Sequence, residues 1–155
     1  FNEDIGASNN RVVGFLYEKG ASLEFYIASD RAVTDAKIAV RITGEFTTMS
    51  YDGNDFQILI NGNARYYDRV TLEVPFGGTF LPCEDLIIID NVSLEEGQNL
   101  IQLRTNNVNA VAGTTFVAHA PIVDCVKIST SAVLTWDENY GVPALKNYTR
   151  GRAID

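Results

Sequence analysis

The sequence has few of the residues on which catalytic and metal sites most often depend. Its 155 residues include one histidine, His119, and two cysteines, Cys83 and Cys125. A Ser-His-Asp triad would have to use His119, and no Gly-x-Ser-x-Gly motif is present. The cysteines are far apart and form no Cys-x-x-Cys pair, which argues against a zinc site. Two alternatives stay open for them, one disulfide in a secreted protein or two thiols.

Positive charge is also scarce. The chain has 12 Lys and Arg against 20 Asp and Glu, which gives a formal net charge of −8 at pH 7. Nucleic-acid binders usually carry a basic face, and anionic membranes attract basic segments, so neither kind of partner is expected. No apolar run approaches the ~20 residues of a membrane-spanning helix. We therefore expect no nucleic-acid partner and no membrane partner.

The dominant pattern is an alternation of apolar and polar residues, which is typical of strands. It is clearest in residues 22–27, 37–43 and 56–60. Further predicted strands are residues 11–17, 70–74, 86–90, 99–104, 115–119, 122–128 and 132–136. Asn61-Gly62 predicts a tight hairpin after the strand 56–60, because a type I′ turn needs positive φ at both central residues. About ten short strands predict a β-sandwich or barrel.

The length predicts one domain covering residues 1–155. Residues 137–155 lose the alternation, which predicts a C-terminal arm or linker. Trp136, just before this tail, is typical of a residue that caps a sandwich core. Tyr66 and Tyr67 should point to opposite faces if extended, so at most one of them is exposed.

Asp124 is the one acid in an otherwise apolar strand pattern. Counting by two places it on the same face as Ile122, Val126 and Ile128. An acid on a core-facing position needs a cation, a metal or several backbone donors. The pattern leaves two interpretations open, a hydrogen-bonded carboxylate near a strand end or a ligand of a structural calcium ion.

Five segments in sequence order resemble the motifs of carbohydrate-binding modules of families 6 and 35. They are residues 14–27, 36–42, 56–62, 94–103 and 120–128. The third ends in Asn61-Gly62, the fourth contains Gly97-Gln98-Asn99, and the last places Asp124 after Ile122. The resemblance implies a jelly-roll β-sandwich of the galactose-binding-like kind. It also implies a noncatalytic, extracellular or cell-surface module that binds a carbohydrate and is tethered to other domains of a secreted bacterial enzyme or surface protein.

The resemblance implies where the sugar would bind. In the family, loops at one end of the sandwich form the site, and here they correspond to residues 9–11, 76–80, 106–109 and the region of residue 119. Aromatic rings stack on the C–H side of a sugar, and polar side chains meet its hydroxyls. The candidate carbohydrate-binding residues are therefore Asn10, Arg11, Phe76, Phe80, Asn107, Asn109 and His119.

The resemblance also implies a structural calcium ion. Asp124 matches the acid of the family's closing strand, and Glu3 is the candidate ligand from the front of the chain. Three departures matter: only thirteen residues precede Gly14, the family's sugar-binding asparagine corresponds to Pro121 or Ile122, and its tryptophan-bearing loop corresponds to residues 76–80. The first bears on the calcium ligands. The substitution at the asparagine position favours the alternative of a spacer or adhesin sandwich that has lost sugar binding. A small hydrolase with two catalytic acids is the third hypothesis.

Overall fold

The computed structural model describes residues 6–8, 11–14, 16, 18–44, 48–73, 81–106 and 120–136. These residues form ten strands, all paired antiparallel. The strands are β1 (Ser22–Ser29), β2 (Val33–Thr43), β3 (Met49–Tyr51), β4 (Phe56–Ile60), β5 (Asn63–Arg65), β6 (Val70–Leu72), β7 (Glu84–Leu94), β8 (Gly97–Thr105), β9 (Ile122–Ser129) and β10 (Leu134–Trp136). The predicted all-β class is confirmed. No helix in the described ranges is long and apolar enough to cross a membrane.

The strands form two main sheets and a small one. The five-stranded sheet has the order β10-β1-β8-β4-β5, the three-stranded sheet β7-β2-β9, and β3 pairs with β6. Residues 30–32 connect β1 to β2, and residues 95–96 connect β7 to β8. Because both short connections join one main sheet to the other, they lie at the same end of the sandwich. The opposite strand ends, among them Ser22, Thr43 and Thr105, therefore meet at the other end.

The core lies between the two main sheets. On β2 the alternate residues Ile38, Val40 and Ile42 are fully buried, as the period of two predicts. Ile101 and Leu103 of β8 are equally buried from the other side. Each such side chain contributes about 1.5–3 kcal/mol when it leaves water. Burial on one face of each sheet thus fixes which strand faces look inward.

The hairpin predicted at Asn61-Gly62 is confirmed. The φ angles of Asn61 and Gly62 are 50° and 82°, as a type I′ turn requires. The turn joins β4 to β5, with Ile60 opposite Asn63.

Some predicted elements differ from the observed ones. Of the predicted strand 11–17, the described residues form only an isolated bridge between Val13 and Val123. The strand predicted at 86–90 extends over all of β7, because the register shift beside Asn91, whose φ is 54°, lets the strand continue through a bulge. Trp136 does not cap the core: it is 59% exposed and its ring lies 6.1 Å from that of Phe25. The predicted strand 115–119 and arm 137–155 lie outside the described residues.

Candidate functional site

The end of the sandwich opposite the two short connections carries the described residues that belong to or adjoin the loops selected by sequence analysis. We call the described residues there the rim: 11–13, 18–21, 52–55, 81–83, 106 and 120–121. Hydrogen bonds tie these loops to the strand ends. Gly20 N donates to Thr105 O (2.8 Å), and Asn106 N donates to Asp55 O (2.8 Å). Arg11, Asn106 and Ala120, which belong to or adjoin predicted sugar-binding segments in the sequence, therefore lie at one end of the molecule.

Arg11 is the predicted sugar-binding residue that the structure describes. It is exposed, and its backbone N donates to Ser8 O at 3.2 Å. Val13, two residues later, is held against Val123 by two backbone hydrogen bonds of 2.7 and 2.9 Å. Arg11 is thus positioned on the rim beside the start of β9. Asn10, Phe76, Phe80, Asn107, Asn109 and His119 lie outside the described residues.

A polar turn at residues 52–55 forms another part of the rim. Asp52 Oδ1 accepts from the backbone N of Asn54 (2.9 Å) and of Asp55 (3.3 Å), and Arg69 Nη2 lies 3.1 Å from Asp52 Oδ2. The Asn54 N–H is the main cause that holds the pKa of Asp52 below its ordinary value. Asn106 Nδ2 donates to Asn54 O (2.8 Å), which links the turn to β8. These contacts fix a turn whose outer groups, Asn54 and Arg69, are exposed.

Two tyrosines with opposite environments lie beside this turn. Tyr66 is 63% exposed and Tyr67 is 5% exposed, which confirms that at most one of the pair faces solvent. The Tyr67 hydroxyl donates to Phe56 O. Gly53 packs so closely on the backbone of both tyrosines that a Cβ added there would lie 3.0 Å from Tyr67 N. The turn therefore fixes the backbone at Tyr66, whose exposed ring is of the kind that stacks on a sugar.

Asp124 occupies a β-bulge in β9. Arg41 is opposite Cys125 and Ile42 is opposite Val123, so Asp124 has no partner in the register with β2. The bulge breaks the count by two and turns Asp124 away from the main core, where Val123 and Val126 pack. The prediction that Asp124 shares a face with Val126 is therefore wrong. The prediction that the carboxylate of Asp124 needs a partner is confirmed.

The partners of Asp124 are a cation and a hydrogen-bonding pair. Its side chain is fully buried, and Oδ2 lies 2.9 Å from Arg41 Nε. Ser8 N donates to Oδ1 at 2.7 Å and Ser8 Oγ to Oδ2 at 3.1 Å. No cluster of three or more His, Cys, Asp or Glu side chains able to hold a metal occurs in the described ranges. Glu3, the other predicted calcium ligand, lies outside them.

Both cysteines lie near Asp124 as free thiols. Cys83 is 3% exposed and packs with Val12 and Ile122 in a small cluster apart from the main core. Burial, together with the charge of Asp124, raises the pKa of the Cys83 thiol to about 11. The sequence left open a disulfide or two thiols, and in the structure Cys83 and Cys125 are two free thiols.

Sequence reasoning missed two participants in these sites. Arg41 was one residue of an alternating strand, and nothing local marked it as the partner of an acid more than eighty residues away. The strand β3, which leads into the turn at residues 52–55, was also missed, because three residues give no readable period. Residues 52–55 themselves were not among the predicted sugar-binding residues.

Comparisons with known proteins agree with this architecture. No protein-family model matches the sequence, and no curated protein matches it. Solved structures do match. A family 35 module from Cellvibrio japonicus Abf62 superposes with a TM-score of 0.56 at 18% identity and covers 86% of this chain and 82% of its own. A family 35 module from an environmental isolate gives 0.56 at 15% identity, covering 85% and 81%.

A third similar structure carries a ligand. It is described as Xyl-CBM35 in complex with a disaccharide that contains glucuronic acid, and it gives a TM-score of 0.56 at 18% identity, covering 86% of this chain and 82% of its own. At such identities the likeness concerns the fold. The chain has the jelly-roll β-sandwich fold of family 35 carbohydrate-binding modules.

Proposed function

We propose that this chain is a noncatalytic carbohydrate-binding module that recognises a glycan at its rim. The observation that carries the proposal is the fold, shared over more than four-fifths of the chain with family 35 modules, one of them bound to a saccharide. The position of Arg11, Asn106 and Ala120 at one end of the sandwich supports it. The module would be extracellular and tethered to other domains, where it would raise the local concentration of an attached enzyme on its substrate.

Tyr66 is the described residue best suited to stack on a sugar. Its ring is exposed, it follows β5 on the side of the polar turn, and Gly53 fixes its backbone. Asn54 is exposed in the adjoining turn, Arg69 is exposed and lies 3.1 Å from Asp52 Oδ2, and Arg11 is an exposed cation on the rim. The net charge of −8 does not favour an acidic sugar, so local cations would have to attract one. Because one of the similar modules was solved with a disaccharide that contains glucuronic acid, a glycan with a uronic acid is the first ligand to test.

The experiment is a glycan array followed by calorimetric titration with a disaccharide containing glucuronic acid. We expect Tyr66→Ala to weaken binding roughly tenfold, the equivalent of about 1.4 kcal/mol, and Tyr66→Phe to keep it. Trp136→Ala is the matched control, because Trp136 is a similarly exposed aromatic on the edge strand β10.

A second pair of variants tests the cation. Arg11→Ala should weaken binding of the acidic sugar, whereas Arg31→Ala should not, because Arg31 lies in the connection between β1 and β2 at the other end of the sandwich. Absence of binding to every glycan at millimolar concentration would refute the proposal. The alternative of a spacer or adhesin domain would then be favoured.

A further inference from the structure

We propose that Arg41 is the resident cation of Asp124, in the place where the family resemblance puts a calcium ion. Its guanidinium, together with Ser8, fastens the segment 6–8 to β9 without a metal. These contacts close the fold where residues 6–8 meet β9. They are independent of sugar binding.

Hydrogen-bond donors already occupy the carboxylate oxygens of Asp124. Two oxygens offer about four lone-pair sites, and three are taken by Arg41 Nε, Ser8 N and Ser8 Oγ. Calcium takes six to eight oxygen ligands at about 2.3–2.6 Å. The described groups that meet Asp124 are hydrogen-bond donors, and the nearby Cys125 thiol, 3.8 Å from Ser8 Oγ, is a soft ligand that calcium does not favour. The described residues around Asp124 therefore do not fit calcium.

The charge of Arg41 disfavours a metal ion at Asp124. A divalent ion bound to Asp124 Oδ2 would lie beside the guanidinium that already contacts this oxygen at 2.9 Å. The two positive charges would repel each other strongly, since the Asp124 side chain has no exposed surface and water screens little there. A single carboxylate cannot neutralise both cations.

Arg41 is also held in place by contacts that do not involve Asp124. Arg41 Nη2 donates to Gly6 O at 3.1 Å, and the strand β2 fixes its backbone between β7 and β9. Gly6 has a φ of +66°, and a Cβ added to it would lie 3.4 Å from Arg41 Nη2. The guanidinium thus bridges Gly6 in the N-terminal segment and Asp124 in the bulge of β9.

The decisive measurement uses the wild-type protein. After treatment with a chelator, calcium is added while the backbone amide signals are followed by ¹⁵N NMR. We expect the amide signals of Ser8, Asp124 and Cys125 to stay unchanged at millimolar calcium. Saturable shifts of these three signals would overturn the proposal, because they would place the metal at Asp124. Shifts confined to other residues would support it, since any calcium site would then lie elsewhere.

Two variants test the role of the cation by thermal unfolding. Arg41→Met keeps the apolar stem but leaves Asp124 buried and unpaired, so the midpoint should fall by about 5–10 °C. Lys127→Met is the matched control. It breaks the ion pair of Lys127 with Asp85, 2.8 Å long, in the same sheet, where Lys127 is half exposed. Its midpoint should fall by less than about 3 °C. Equal midpoints for the two variants would count against Arg41 as the resident cation.

Discussion

The side-chain amides of Asn61 and Asn99 are hydrogen-bonded to each other, with Asn61 Nδ2 donating to Asn99 Oδ1 at 2.8 Å. Asn99 is 1% exposed and also accepts from Glu95 N at 2.8 Å and donates to Glu95 O at 2.9 Å. Asn61 Oδ1 accepts from Leu100 N at 2.8 Å. One network therefore joins the hairpin that follows β4 to the connection that leads into β8.

The first prediction concerns this network. Asn99→Ala removes the side-chain partners of Glu95 N and Glu95 O at a position that is itself buried, so we expect the free energy of unfolding to fall by about 2–4 kcal/mol. Asn99→Asp should also be destabilising, because a carboxylate cannot donate to Glu95 O and Gly97 O. Urea unfolding measures both variants. Gln98→Ala, at the exposed neighbouring position, is the control and should change stability by less than about 0.5 kcal/mol. A stable Asn99→Ala variant would show that the network is dispensable.

For these two asparagines, the sequence predicted the local turn but not the contact between the side chains. Both stood in motifs that were recognised, the Asn-Gly turn and the Gly-x-Asn segment, but as separate features. The turn was predictable because its chemistry is local: positive φ at Asn61 and Gly62 follows from two adjacent residue types. Their contact was not predictable, since 38 residues separate them in the chain. Strands and sheet faces were likewise visible through the period of two.

The surroundings of Asp124 were predictable only in part. That a buried acid needs a partner follows from desolvation, and the structure supplies one in Arg41. The sheet face on which Asp124 lies could not be predicted from the sequence. The bulge opposite Arg41 and Ile42 adds a residue to β9 that no sequence pattern reveals. The rim was inferred from the family resemblance, and of its named sugar-binding residues only Arg11 is among those described.

A second prediction compares two buried tyrosines. The Tyr51 hydroxyl is fully buried and has no hydrogen-bond partner among the described residues, whereas the Tyr67 hydroxyl donates to Phe56 O. Tyr51→Phe should therefore leave the free energy of unfolding unchanged or raise it by up to about 1 kcal/mol. Tyr67→Phe should lower it by about 1–2 kcal/mol. Chemical unfolding of the two variants in parallel decides the matter, and a loss in Tyr51→Phe as large as in Tyr67→Phe would reveal a partner for Tyr51.

A third prediction concerns thiol reactivity. Burial raises the pKa of the Cys83 thiol to about 11 and leaves only 3% of the residue exposed. At pH 8 about one thiol in a thousand would be ionised, and the thiolate is the reactive form. In the variant Cys125→Ser, which keeps only Cys83, a thiol reagent should react far more slowly with the native protein than with the protein in denaturant. Equal rates in the two conditions would mean that Cys83 is accessible in the folded state.

The fourth prediction concerns acid stability. In the folded protein the Asn54 N–H, and to a lesser extent Arg69, keep the pKa of Asp52 below its ordinary value. A carboxyl with a lowered pKa stabilises the fold fully above its unfolded value, about 3.9 for Asp, and loses this contribution as the pH falls below it. Asp52→Asn should therefore lower the unfolding midpoint more at pH 6 than at pH 3.

The control for this prediction is Arg69→Met. It removes a smaller cause of the lowered pKa and keeps the Asn54 N–H contact, so most of the acid-side loss seen in the wild type should persist. Thermal unfolding of the wild type and both variants between pH 2.5 and 6 provides the comparison. If Asp52→Asn lowered the midpoint equally at both ends of this range, the ionised carboxylate of Asp52 would contribute nothing to stability. The turn at residues 52–55 would then depend on the shape of the side chain and not on its charge.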